Sequence, residues 1–127
     1  MTRKIIPDIF EEQEVAHLTG DCTIREAGRY MVEHDVGSVL IMEAEKLVGI
    51  FTERDALRIF VATRRDPDQS KIGDVMTKNP QTIHPDASPE DALACMVEGK
   101  FRHMPVVDDT GKVRGVISLR DLITDES

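Results

Sequence analysis

Hydrophobic residues recur along this chain in two alternating rhythms. Between Thr23 and His34 they fall at helical spacing, with Ile24, Ala27 and Met31 on one stripe, which predicts a helix. From Gly37 to Met42 nearly every position is apolar, which predicts a short strand buried on both faces. After a polar turn at Glu43-Ala44-Glu45-Lys46, Leu47 to Phe51 reads as the next strand, and Thr52 begins a helix running to about Thr63. Ala16-His17-Leu18 is a short opening strand, and Arg64 to Ser70, polar and containing Pro67, reads as a linker. The plan then returns. Gln81-Thr82-Ile83 matches the opening strand. Ser88-Pro89-Glu90-Asp91 combines a capping hydroxyl, a first-turn proline and two carboxylates, so a helix starts there and runs to about Glu98. Met104 to Val107 and Val113 to Ser118 are strands around the turn Asp108-Asp109-Thr110-Gly111, and Asp121 to about Thr124 is a short closing helix. The expected fold class is α/β (α+β): two β-α-β-β-α repeats over residues 7–65 and 72–127, joined by a linker at 66–71. Each half is small for an independent core, so the two are expected to pack about a pseudo-two-fold axis.

The repetition is also literal. Gly49-Ile50-Phe51-Thr52-Glu53-Arg54-Asp55 returns as Gly115-Val116-Ile117-Ser118-Leu119-Arg120-Asp121. Upstream, Ala27 and Ala92, Met31 and Met96, Val32 and Val97, and Glu33 and Glu98 each stand 65 residues apart (92 − 27), whereas Gly49 and Gly115 stand 66 apart (115 − 49). The added residue is assigned to the turn at Asp108 to Gly111. A turn accepts an insertion, while a one-residue slip in a strand flips every side chain. Each copy is a strand ending in a hydroxyl able to cap the next helix, a corner suited to holding a phosphate or a ribose.

Composition narrows the partners. The chain has 127 residues, 40% hydrophobic and 31% charged, with no Trp and one Tyr, so one globular domain with an aliphatic core is expected. A net charge of −8 argues against nonspecific nucleic-acid or anionic-membrane binding and leaves small molecules or protein surfaces. No apolar run follows the basic start, and none approaches the ~20 residues of a membrane span, so neither a secretion signal nor a membrane segment is expected. Cys22 and Cys95 read as free thiols of a cytoplasmic protein. The scattered histidines give no metal-ligand spacing, and the methionines are most simply core filler. No nucleophile sits beside a base and no Gly-rich phosphate loop is present, so an enzyme is not expected. Ala56-Leu57-Arg58-Ile59-Phe60-Val61 is apolar on more than one helix face, which suggests contact with a second subunit. The alternative is that Phe60 and Val61 cover the linker.

These residues resemble a tandem pair of cystathionine β-synthase (CBS) domains, also called a Bateman module. The resemblance runs from about Pro7 to Leu122 and rests on the two Gly-apolar-apolar-Thr/Ser-x-x-Asp motifs. Ile72-Gly73-Asp74-Val75-Met76-Thr77 and Arg102-His103-Met104-Pro105-Val106-Val107-Asp108 support it. It implies a cleft between the repeats that takes an adenosine-containing ligand. Asp55 and Asp121 would accept from the ribose hydroxyls, and Thr52 and Ser118 would contact ribose or phosphate. The base would be lined by Thr82, Ile83, His84 and Pro85 with His103, Met104 and Pro105, and by His17, Leu18 and Thr19 with Ser38 and Val39. The first half departs from the pattern, with Leu40 in place of Pro105 and Gly20 in place of Pro85.

An ionised Asp is acceptor-only with two oxygens, so it can take both vicinal hydroxyls of a ribose. The bland alternative is that Thr52-x-x-Asp55 and Ser118-x-x-Asp121 are capping boxes, worth ~1 kcal/mol to their helices. Glu or Gln is the commoner partner in such a box, so Asp at both motifs favours a ligand. Arg54 and Arg120 sit at helix starts, which prefer anions; an anionic ligand explains them better than helix stability does, an ordinary surface ion pair being the alternative. Arg102 is a further phosphate candidate. The expectation is a non-catalytic regulatory, energy-sensing homodimer. It binds AMP, ADP, ATP or NAD(H), with S-adenosylmethionine behind them, and signals to a regulated protein by a change of shape. The alternative is a ligand-free dimeric scaffold.

Overall fold

The computed structural model describes residues 3–124. The chain divides into two compact units: a first unit of residues 16–80, and a second made from the residues up to Val15 together with those from Gln81 onward.

In the first unit the elements run β1 (His17–Leu18), α1 (Ile24–His34), β2 (Ser38–Glu43), β3 (Lys46–Thr52), α2 (Glu53–Ala62), a 3-10 turn (Ile72–Asp74) and β4 (Thr77–Lys78). The sheet order is β1-β2-β3-β4, with β1 parallel to β2 and the remaining pairs antiparallel. The β2–β3 hairpin closes through Ala44 and Glu45, whose φ values of 47° and 65° give the left-handed pair that matches strand twist. The α1 stripe of Ile24, Ala27 and Met31 is buried against Val39, Ile41, Phe51 and Ile72. α1 starts in a reciprocal cap: Glu26 N–H donates to Thr23 Oγ1 at 3.1 Å and Thr23 N–H to Glu26 Oε1 at 3.0 Å. These bonds to Thr23 hold the exposed Glu26 below the usual carboxylate range.

In the second unit, α3 (Pro89–Gly99) precedes an antiparallel hairpin of β5 (His103–Val107) and β6 (Val113–Ser118), and α4 (Leu119–Thr124) follows. Ala92, Met96, Met104, Val106 and Ile117 form its core with Ile5. The expected insertion lies in the turn: Met42 opposes Leu47 in one hairpin and Val107 opposes Val113 in the other. Asp108 Oδ1 organises this longer turn, accepting from the Thr110 hydroxyl, from Thr110 N–H at 2.9 Å and from Lys112 N–H at 3.1 Å. The Thr110 hydroxyl is the main cause holding Asp108 below its ordinary value.

One reading needs correction. Thr82-Ile83 is not a strand; only Ile83 bridges to Val106. Residues 66–80, which include the expected linker at 66–71, pack with the first unit. Arg25 N–H donates to Pro67 O, Ile24 N–H to Ser70 O and Ile72 N–H to Cys22 O, while β4 pairs with β3 at Gly49 and Ile50. The physical reason is that β3 would otherwise present an open outer edge and the core would lack Ile72, which is fully buried.

The second unit solves the same problem with the start of the chain. Ile5 is fully buried, its N–H donating to Ala87 O at 2.9 Å, and Ile6 N–H donates to Pro85 O at 3.0 Å. In the first unit Ile72 N–H and Gly73 N–H make the matching bonds to Cys22 O and Gly20 O. The two motif glycines are explained together. A Cβ on Gly49 would lie 2.3 Å from Met76 Sδ, and one on Gly115 would lie 2.7 Å from Phe10 Cζ. Each is a point where the covering segment approaches the strand too closely for a side chain.

On α2, Ala56 and Ile59 pack against the core, while Leu57, Phe60 and Val61 are 62%, 79% and 72% exposed. Phe60 and Val61 therefore face outward rather than covering residues 64–70. Ile5→Ala is expected to destabilise the full chain by about 2–5 kcal/mol, the range for truncating a buried Ile. Urea unfolding checks this; a change within 0.5 kcal/mol of zero would mean the N-terminal segment is not part of the fold.

Candidate functional site

The motif corners are built the same way twice. In the first unit Thr52 ends β3, pairs across the sheet with Ser38, and is followed directly by α2. Asp55 N–H donates to Thr52 Oγ1 at 3.1 Å, and Thr52 N–H donates to Asp55 Oδ2 at 3.0 Å. In the second unit Ser118 ends β6 and pairs with His103. Asp121 N–H donates to Ser118 Oγ at 3.1 Å, and Ser118 N–H to Asp121 Oδ2 at 2.8 Å. The first helical N–H is satisfied alike at both corners, Glu53 donating to Gly37 O and Leu119 to Arg102 O. Both corners are thus complete capping boxes.

The identity of the acid at the third helical position does not mark a ligand. Ser88 and Asp91 form the same box at the start of α3, outside the repeated motif. What distinguishes the motif corners is position and spare capacity. Each cap hydroxyl stands at the end of a strand beside the first residue of its neighbour. The cap uses one acceptor site of the carboxylate, and among the described residues no hydrogen bond engages Oδ1 of Asp55 or Asp121. Each carboxylate keeps room for two further donors.

The sheet register confirms the positional equivalences of the repeat: Ser38 matches His103, Val39 matches Met104 and Leu40 matches Pro105. Side chains alternate along a strand. Val39 and Met104 accordingly point into the two cores, whereas Ser38 and His103 share a face with Thr52 and Ser118 respectively. Leu18 and Ile83 also pack against their cores. From these four residues a ligand would meet chiefly backbone. His17 and Thr19 are exposed, as is Thr82, and Pro85 is buried. His84 is engaged on both ring nitrogens. Nε2 lies 2.9 Å from Asp109 Oδ1, and Nδ1 accepts from Asp86 N–H at 3.0 Å, which makes Nε2 the donor in the neutral ring. Arg54, Arg102 and Arg120 are exposed, Arg54 and Arg120 each in the first turn of the helix after its motif. Among the described residues no group of three or more His, Cys, Asp or Glu could hold a metal.

Sequence reasoning missed Phe10 and Gln13, which lie against Gly115 beside the second motif. One signal was there: Phe10 precedes Met76 by the same 66 residues that separate the glycines they cover (76 − 10).

The profile of the CBS domain matches residues 1–62 and 72–125. The chain belongs to the CBS-domain family. CBS-domain pairs are in general non-catalytic regulatory modules. An uncharacterised 17.7 kDa protein of Acidianus ambivalens is 40% identical over 101 residues, covering 79% of this chain and 60% of that one. The chain spans 60%, 53% and 48% of the length of three curated relatives and 16% to 23% of several longer ones. A CBS-domain protein from Burkholderia ambifaria superposes with a TM-score of 0.88 at 27% identity, covering 95% of this chain and 91% of that one. A CBS domain protein from Pyrobaculum aerophilum, solved in complex with AMP, gives 0.81 at 28% identity, covering 89% and 86%.

Thr52→Ala and Ser118→Ala are each expected to cost about 1 kcal/mol through loss of the cap. Chemical denaturation of the single variants checks this, and indifference at both sites would show that the caps do not hold α2 and α4.

Proposed function

We propose that this CBS-domain pair binds an adenine nucleotide or dinucleotide (AMP, ADP, ATP or NAD(H)) and signals by a change of conformation. The observation that carries the reading is the duplicated corner in which a strand-end hydroxyl and a carboxylate with an unused oxygen sit together. A ribose offers two adjacent hydroxyl donors, which suit such a carboxylate. Arg54, Arg102 and Arg120 supply exposed positive charge near the corners for phosphate. The AMP-bound relative supports the ligand class. In this reading the ligand occupies the cleft expected between repeats, and its differential affinity for two conformations shifts their populations.

A regulated protein as downstream partner and a cytoplasmic location belong to the same proposal. So does a homodimer, favoured by the outward-facing Leu57, Phe60 and Val61 of α2, an apolar surface that a second copy would cover. These residues equally suit the second reading, a ligand-free scaffold. Light scattering at micromolar concentration is expected to give twice the chain mass; a monomer mass would remove the dimer.

Thermal unfolding of nucleotide-stripped protein with AMP, ADP, ATP, NAD, NADH and S-adenosylmethionine separates the two readings. A ligand at a hundred times its dissociation constant adds about 2.7 kcal/mol per site, roughly several degrees here. The shift is expected for at least one nucleotide and is expected to shrink in Asp55→Ala or Asp121→Ala. No shift with any of the six would leave the scaffold.

A further inference from the structure

We propose that Gln13 is a positioning residue for the Ser118–Asp121 corner, its carboxamide completing the outer edge of β6 where the first unit uses a strand. Val116 N–H donates to Gln13 Oε1 at 2.7 Å, and Gln13 Nε2–H donates to Val116 O at 3.2 Å, both bonds partly buried. One side chain therefore satisfies both main-chain groups of a strand residue. The equivalent residue of the first unit, Ile50, pairs with Thr77 of β4.

The clamp lies close to the motif chemistry. Val116 is two residues before Ser118, and Ile117 between them is fully buried. The six residues of α4 begin from Ser118, and the only described hydrogen bonds orienting Asp121 run to that residue. Whatever fixes the end of β6 thus fixes Asp121. The same N-terminal segment holds Pro85 O and Ala87 O through Ile6 and Ile5, and so also grips the backbone beside Thr82 to Pro85. Gly115 has no side chain to obstruct the amide: a Cβ there would lie 2.9 Å from Gln13 Oε1. A backbone strand such as β4 cannot be removed by one substitution, but this clamp can. The consequence for nucleotide affinity rests on the proposed function; the consequence for the order of the corner does not.

Amide hydrogen exchange on the ligand-free full chain tests the corner directly. Gln13→Ala is expected to speed exchange about tenfold at Val116, Ser118 and Asp121, with Ile50 and Asp55 unchanged. Gln13→Glu keeps an acceptor for Val116 N–H but loses the donor, and is expected to fall between wild type and Gln13→Ala. It also serves if Gln13→Ala fails to fold. Faster exchange at Val116 alone, or equally throughout both units, would overturn the proposal. AMP titration then reads the functional arm. Gln13→Ala is expected to weaken AMP several-fold in an Asp55→Ala background, where only the second motif remains, and to leave it unaltered in an Asp121→Ala background. Equal weakening in both backgrounds would overturn a local role. If wild type takes up no AMP, the nucleotide reading fails, and the exchange result still decides the role of Gln13.

Discussion

The unpaired outer edge of the last strand in each hairpin is the constraint on which the rest of this structure depends. β3 and β6 carry the motif, and each turns one row of N–H and C=O groups away from its hairpin partner. Left open, such a row costs hydrogen bonds and invites pairing with other chains. β4 closes it at Gly49 and Ile50, and Gln13 closes it at Val116. Ile72 and Ile5 come with these covering segments and fill the cores beneath. The motif glycines fit the same requirement, since a Cβ at either would force Met76 or Phe10 to shift.

The corners themselves combine two demands without conflict. Reciprocal capping aligns the hydroxyl and the carboxylate, and it uses only one oxygen of each acid. A helix start that is already satisfied by its own residues has little to lose when a ligand leaves. The cap and the proposed ribose contact would therefore draw on different lone pairs of one side chain.

Much of the fold was legible because the signals were local or duplicated. The helical stripe Ile24, Ala27 and Met31, the caps at Thr23 and Ser88, and the turn insertion at Asp108 to Gly111 all lie within short windows. Two features were not legible that way. The covering role of residues 5–13 and 72–78 depends on partners outside any short window, which hydropathy alone does not reveal. The distinction between Ser38 and Val39, or His103 and Met104, required the strand register: adjacent residues that a motif groups together face opposite sides of the sheet. The chemistry of Asp55 and Asp121 was visible, but Ser88–Asp91 shows that the pattern alone does not separate a cap from a ligand contact.

The two units also differ in continuity. The first unit is continuous, residues 16–80, and its covering strand lies only a short loop beyond α2. The second unit joins residues before 16 to those from 81 onward, with Gln13 and Val116 separated by 103 positions. Closing so long a loop carries a larger entropic cost and lowers the folding rate. Ile5 and Phe10 are covered by partners from residues 81 onward, whereas the first unit is built from one continuous stretch.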